Sequence, residues 1–112
     1  MRVLVLFLWL SLTSITNSPD IHTATWYDTT GHPKVHREHS TAAYNHLPLH
    51  TKVIVINLSN NKSDTVEITD RMGNKSYNRI DLSKKSFGKL DNHKVGRIKV
   101  KIIPLSKEKG SN

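Results

Sequence analysis

Beyond its first twenty residues the chain is built from short runs in which apolar and polar side chains alternate. That is the period-two pattern of strands with one buried face. Lys52-Val53-Ile54-Val55-Ile56-Asn57 is β-branched through its centre and predicts a buried strand. Thr65-Val66-Glu67-Ile68-Thr69 alternates, and the turn cluster Ser59-Asn60-Asn61-Lys62-Ser63 between the two predicts a hairpin. Gly96 to Ile103 sets Ile98, Val100 and Ile102 against Arg97, Lys99 and Lys101, with Pro104 expected to stop the strand. Ile21 to Tyr27, rich in threonine and aromatics, fits a first strand, and Thr41-Ala42-Ala43-Tyr44 is a brief apolar patch. Gly31-His32-Pro33 punctuates a loop, and the polar stretch from there to Ser40 has no strand periodicity. Asp70 to Asn74 breaks the pattern again. Ser83 is a good N-cap for a short helix from Lys84 to about Phe87, which Gly88 would end. One short helix among about six short strands predicts a mainly β fold closed into a small barrel, because closure removes exposed edges.

The first segment reads differently. Met1-Arg2 is a positive start, Val3 to Leu12 is an almost unbroken apolar run, and small and polar residues follow to Ser18. That is the layout of a secretory signal peptide, expected over residues 1–18, with a buried N-terminal strand as the competing reading. The apolar run is about ten residues, against about 20 for a membrane-crossing helix. The chain has no cysteine, so neither a disulfide nor a lipid-bearing cysteine holds it, and the expectation is a released, unanchored monomer. The domain is expected at residues 19–105, followed by a polar tail at 106–112.

Charge narrows the partners. Lys and Arg number 17 against 9 Asp and Glu, a formal net charge of +8. An excess of this kind favours polyanions: nucleic acid, an anionic membrane surface or an acidic cell wall, of which export would leave nucleic acid the weakest. The basic residues are spread out, thickest from Lys84 to Lys101, so charge indicates a surface preference and nothing about reaction chemistry.

Candidate chemistry centres on Thr69-Asp70-Arg71 and on Arg79-Ile80-Asp81-Leu82-Ser83. A carboxylate at a strand end can be aimed into a groove and serve as general acid or base on a glycosidic oxygen. Hydrolysis would call on a pair such as Asp70 and Asp81; a transglycosylase needs one carboxyl. Equally, Asp70 could pair with Arg71 in an ordinary turn, and Asp81 could orient the following helix. Trp26, Tyr27, Tyr44 and Tyr77 could stack on sugar rings or pack in the core. Histidine is frequent, seven in all. His32, His36 and His39 would share a helical face able to grip zinc, but Pro33 and the lack of periodicity argue for solvated or sugar-contacting loop histidines. No metal or organic cofactor is expected.

Several segments, taken in order, resemble the rare lipoprotein A family of double-psi β-barrels, relatives of the expansins. They are Ala24-Thr25-Trp26-Tyr27, Ser40-Thr41-Ala42-Ala43-Tyr44 through Leu49 with Thr51-Lys52-Val53, Thr69-Asp70-Arg71, Asn78-Arg79-Ile80-Asp81-Leu82-Ser83, and Gly96 to Val100. The resemblance covers about residues 21 to 105 and implies a six-stranded double-psi β-barrel. It also implies a lytic transglycosylase acting on peptidoglycan glycan strands, preferentially those stripped of stem peptides. In that reading Asp70 is the catalytic acid and base, Arg71 and Asp81 shape the groove, and His32, Tyr44 and Trp26 contact substrate. The chain departs from the family where His32 replaces a frequent Glu, Tyr44 a frequent His, and Met72-Gly73-Asn74 a Gly-Pro-Phe. A non-catalytic, expansin-like wall-binding module is the alternative.

Overall fold

The computed structural model describes residues 21–73 and 78–105; the expected signal segment and polar tail lie outside them. Six strands form a closed barrel: β1 (Ile21–Tyr27), β2 (Thr41–Ala43), β3 (Lys52–Asn57), β4 (Ser63–Asp70), β5 (Arg79–Ser83) and β6 (Ile98–Pro104). Around the barrel they run β1-β5-β2-β4-β3-β6. The β1/β5 and β2/β4 pairs are parallel and the other four antiparallel. Exchanging β1, β2 and β3 for β4, β5 and β6 leaves this order of neighbours unchanged, so the topology carries an internal two-fold. Each half inserts a strand between two strands of the other, which is the double-psi arrangement the sequence implied.

Alternation along the strands divides the barrel into a filled inside and a polar outside. Ala24, Ala42, Val53, Val55, Val66, Ile68, Ile80, Leu82 and Val100 are buried within it, together with Phe87 and Leu90 of a helix. The hairpin expected from residues 52–69 is present, with Val53 opposite Val66. Asn57, fully buried, satisfies its whole amide. It donates to the Leu90 carbonyl (2.9 Å) and to Asp91 (3.2 Å), and it accepts from the Ser59 N–H (3.0 Å) and hydroxyl (3.1 Å).

Two helices are present where one was expected. The first, α1 (Lys34–Glu38), lies in the stretch read as loop. A single turn is too short to show a period in sequence, and Pro33 sits just before it, where a missing N–H costs nothing. Backbone bonds from His36 N to Pro33 O (2.9 Å) and from His39 N to Val35 O (3.0 Å) close the turn, and it buries His36. The second, α2 (Lys84–Leu90), starts as expected, with the Ser83 side chain accepting from the Ser86 N–H, but runs through Gly88 to Leu90. Phe87 and Leu90, three apart, share the buried face. Gly88 answers a different need: a Cβ there would lie 2.8 Å from the His93 ring. A 3₁₀ turn (His93–Val95) and Gly96 at φ +81° then delay β6 to Ile98.

Candidate active site

Three facing rows bring the chemistry to one outer face of the sheet. Ala43 of β2 pairs with Asp81 of β5 on one side and with Asp70 of β4 on the other. Thr25 of β1 pairs with Asp81 in turn. The β2/β4 register shifts between Ala42 and Ala43, so that Ala42 opposes Ile68 and Ala43 opposes Asp70. This one-residue bulge at Thr69 matters. Val66 and Ile68 point into the core, and strict alternation would send Asp70 the same way; the extra residue turns it to the outer face. Asp70 emerges with its side chain 57 % exposed. Two inter-strand spacings separate it from Asp81, about 10 Å between backbones, with the small Ala43 as the floor between them.

Behind Asp70 lies a buried polar relay. The His36 ring, its side chain 10 % exposed, places Nε2 4.0 Å from Asp70 Oδ2. Its Nδ1 is 2.9 Å from Thr41 Oγ1 and 3.3 Å from the Tyr27 hydroxyl, which itself is 3.1 Å from Thr41 Oγ1. Burial raises the Tyr27 pKa above its ordinary value; the Thr41 hydrogen bond pulls it down, and the charges of Asp70 and Asp81 push it further up. Tyr27 therefore remains a phenol and a donor. One assignment uses every hydrogen in turn: Tyr27 donates to Thr41, Thr41 donates to His36 Nδ1, and the proton on His36 Nε2 faces Asp70. Asp81 is held separately by the Thr25 hydroxyl, which donates to Oδ1 at 2.8 Å.

A clasp between two loops fixes where β4 ends. Arg71 Nη1 donates to the carbonyls of Tyr44 (2.7 Å) and Leu47 (2.6 Å). Asn45 answers by accepting from the Met72 N–H (2.7 Å) and donating to the Gly73 carbonyl (3.2 Å). The Tyr44 N–H also donates to the Asp70 carbonyl at 2.9 Å.

The six residues singled out from sequence thus part company. Asp70 and Asp81 share the face, and His32 stands at its rim, its ring 5.4 Å from that of Tyr27 and 5.9 Å from that of His36. Arg71 spends guanidinium bonds on loop carbonyls, so its contribution to the groove is architectural. Tyr44 is a core residue, 5 % exposed, with its hydroxyl 3.0 Å from His22 Nε2. Trp26 follows the inward parity of His22 and Ala24. Its indole N–H donates to the His93 carbonyl (3.1 Å), it packs on the core, and Lys84 Nζ lies 5.7 Å from its ring centre. Aromatic composition drew attention to Trp26 and Tyr44, but parity along each strand decides which face a ring reaches. His36, read from sequence as a solvated or sugar-contacting loop histidine, is instead buried beside Asp70, and Thr41 escaped notice because nothing local to it marks a place in the site.

No group of three or more His, Asp or Glu side chains is gathered to hold a metal among the described residues. A concavity of about 360 Å³ lies on the outer side of β3 and β4, lined by Val35, His39, Ser40, Lys52, Thr65, Val66 and Glu67. Neither aspartate borders it.

The closed six-stranded barrel, with Asp70 displayed by a bulge, is a double-psi barrel. Residues 22–102 match the family model described as lytic transglycolase, and the chain belongs to this rare lipoprotein A-like family. It is 37 % identical over 89 residues to the endolytic peptidoglycan transglycosylase RlpA of Helicobacter pylori, a match covering 73 % of this chain but only 28 % of that protein. Among solved structures, an expansin of Clavibacter michiganensis, crystallised as a D78N mutant with cellohexaose, superposes with a TM-score of 0.65 at 14 % identity. That match covers 80 % of this chain and 51 % of the expansin. A Streptomyces papain inhibitor matches with a TM-score of 0.55 at 23 % identity, over 72 % of this chain and 90 % of the inhibitor. These two likenesses are of fold.

Proposed function

We propose that this chain is a peptidoglycan lytic transglycosylase of the cell envelope, exported by its N-terminal segment and acting on strands stripped of stem peptides. The observation that carries the reading is Asp70: an exposed carboxyl, turned outward by a bulge and backed by the His36 N–H. Family membership and the Helicobacter pylori relative support the substrate class.

In this mechanism the Asp70 carboxyl gives its proton to the glycosidic oxygen as the bond from that oxygen to muramyl C1 breaks, freeing the N-acetylglucosamine hydroxyl. The resulting carboxylate takes the proton from the muramyl 6-hydroxyl as that oxygen bonds to C1. The proton count closes on one residue, no water is consumed, and a 1,6-anhydromuramyl end forms. A single carboxyl alternating between two roles needs a pKa within reach of both. His36 Nε2, on a buried ring, lies 4.0 Å from the carboxyl that changes role. Asp81, locked by Thr25 and separated by the Ala43 floor, borders the sugar in the next position. His32 at the rim and the basic surface add contacts to an anionic polymer.

A second reading, an expansin-like module that binds wall glycan without cutting it, is favoured by two substitutions, His32 and Tyr44, at positions where the family often carries Glu and His. One experiment separates them. Purified protein and Asp70→Asn are incubated with native and with amidase-stripped peptidoglycan, and the products are read by mass spectrometry. Anhydromuramyl ends from the wild type alone support the enzyme. Reducing ends would indicate hydrolysis and implicate Asp81 as second carboxyl. Glycan binding with no cleavage would support the wall-binding module.

A further inference from the structure

One rung along β1 from the Thr25–Asp81 pair, Thr23 is flanked by Arg79 of β5 and Lys99 of β6. Arg79 shares the outward parity of Asp81, since Ile80 and Leu82 on either side are buried in the core. Lys99 Nζ reaches back over β1 and donates to Thr23 Oγ1 at 3.1 Å. Two cationic residues therefore flank one threonine, on the face that carries the aspartates and about 6.6 Å along the strand from Asp81. Neither joins an ion pair among the described residues, whose carboxylates pair instead with Lys34, His36, His50 and Lys89. Arg79 Nε is buried and has no hydrogen-bond partner among the described residues. That buried Nε anchors the base of the side chain, whereas the outer Nη groups carry no hydrogen bond among the described residues, and a planar acceptor with two oxygens is the natural complement of that outer edge.

We propose that Arg79 and Lys99 form a carboxylate subsite of the groove that recognises the free lactyl carboxylate of muramic acid. The inference rests on the peptidoglycan reading above and deepens it. When a stem peptide is attached, that carboxyl is an amide, with one oxygen, no charge and a bulky continuation. When the peptide has been removed, the carboxylate offers two charged oxygens to the Arg79 fork and the Lys99 ammonium. The pair thereby selects stripped over peptide-bearing glycan, and muramic acid over unsubstituted N-acetylglucosamine, one position away from the scissile centre.

The test follows the Arg79 Nε–H resonance of the full chain during titration with N-acetylmuramic acid, its methyl ester and N-acetylglucosamine. N-acetylmuramic acid is expected to shift that resonance, and the two uncharged probes to leave it in place. Arg79→Gln is expected to lose on the order of tenfold in affinity for N-acetylmuramic acid, as removal of a charge-assisted hydrogen bond does. Arg79→Lys, which keeps the charge and the fold but not the fork, should fall between. In the Asp70→Asn background, the preference for stripped over peptide-bearing strands should shrink with Arg79→Gln and with Lys99→Gln. An Arg79 resonance unmoved by N-acetylmuramic acid, or moved equally by the methyl ester, overturns the subsite even if the wild type cleaves glycan. A response to N-acetylmuramic acid without any cleavage keeps the subsite and sinks the transglycosylase reading.

Discussion

The relay behind Asp70 makes a quantitative prediction, because its three members are not equivalent. Tyr27→Phe removes one hydroxyl but leaves Thr41 and His36 Nδ1 bonded to each other at 2.9 Å. The loss is one net hydrogen bond, about 0.5–1.5 kcal/mol. Thr41→Val keeps the shape yet takes the nearer partner from a ring nitrogen on a residue only 8 % exposed, leaving the Tyr27 hydroxyl at 3.3 Å. A buried acceptor so weakly satisfied costs about 1–3 kcal/mol. In a domain of this size each kcal/mol lowers Tm by about 4–8 °C. The double variant strands Nδ1 altogether, so its destabilisation should exceed the sum of the two by about 0.5 kcal/mol or more. Urea unfolding at mildly alkaline pH gives the three values, and the imidazole nitrogen shifts of His36 report the tautomer directly. Wild type and Tyr27→Phe should carry the proton on Nε2. Equal costs for the single variants, strict additivity, or a proton on Nδ1 in the wild type would each refute the donor order assigned to the relay.

Phe87→Ala empties a fully buried position between α2 and the barrel and should cost about 3–5 kcal/mol by denaturant melts. Gly88→Ala should gain about 1 kcal/mol of helix propensity while pushing the His93 ring off the Lys84 carbonyl, where Nε2 now sits at 2.7 Å; Trp26 fluorescence should change with Tm nearly constant. Tyr27 is raised above its ordinary value near 10. Its neutral form is thus favoured by folding, and that stability is complete below the unfolded value and lost as pH climbs through the folded one; spectrophotometric titration should show it ionising late. Binding to stripped glycan should weaken steadily with added salt, as a net charge of +8 on an anionic polymer requires.

Alternation along residues 52–57, 65–69 and 98–103 was enough to place three strands and a barrel interior, since period two is a local property of the chain. The capping of α2 by Ser83 was likewise local. The turn at Lys34–Glu38 was not, because it is held by what His36 meets across the fold rather than by its own sequence. Gly88 misled for a related reason: a glycine that makes room for a neighbouring ring reads the same as one that ends a helix. Asp70 could be nominated from its neighbours in sequence. The Thr69 bulge that aims it, and the Thr41 and His36 behind it, depend on β2 lying beside β4, which no local pattern announces. Tyr44 shows the converse, a residue in a motif whose ring is claimed by the core.

The interleaving of the two halves also dictates when the molecule can exist at all. β1 finds both its partners, β5 and β6, more than fifty residues downstream, so the first strand has no sheet to join until most of the barrel is made. β2, β4 and β3 can pair early, but closure must wait for β6 to arrive between β1 and β3. Contacts this distant in sequence fold slowly. A chain leaving the ribosome therefore cannot close its barrel until β6 is made, and an open chain is the state in which a polypeptide can still be threaded through a membrane.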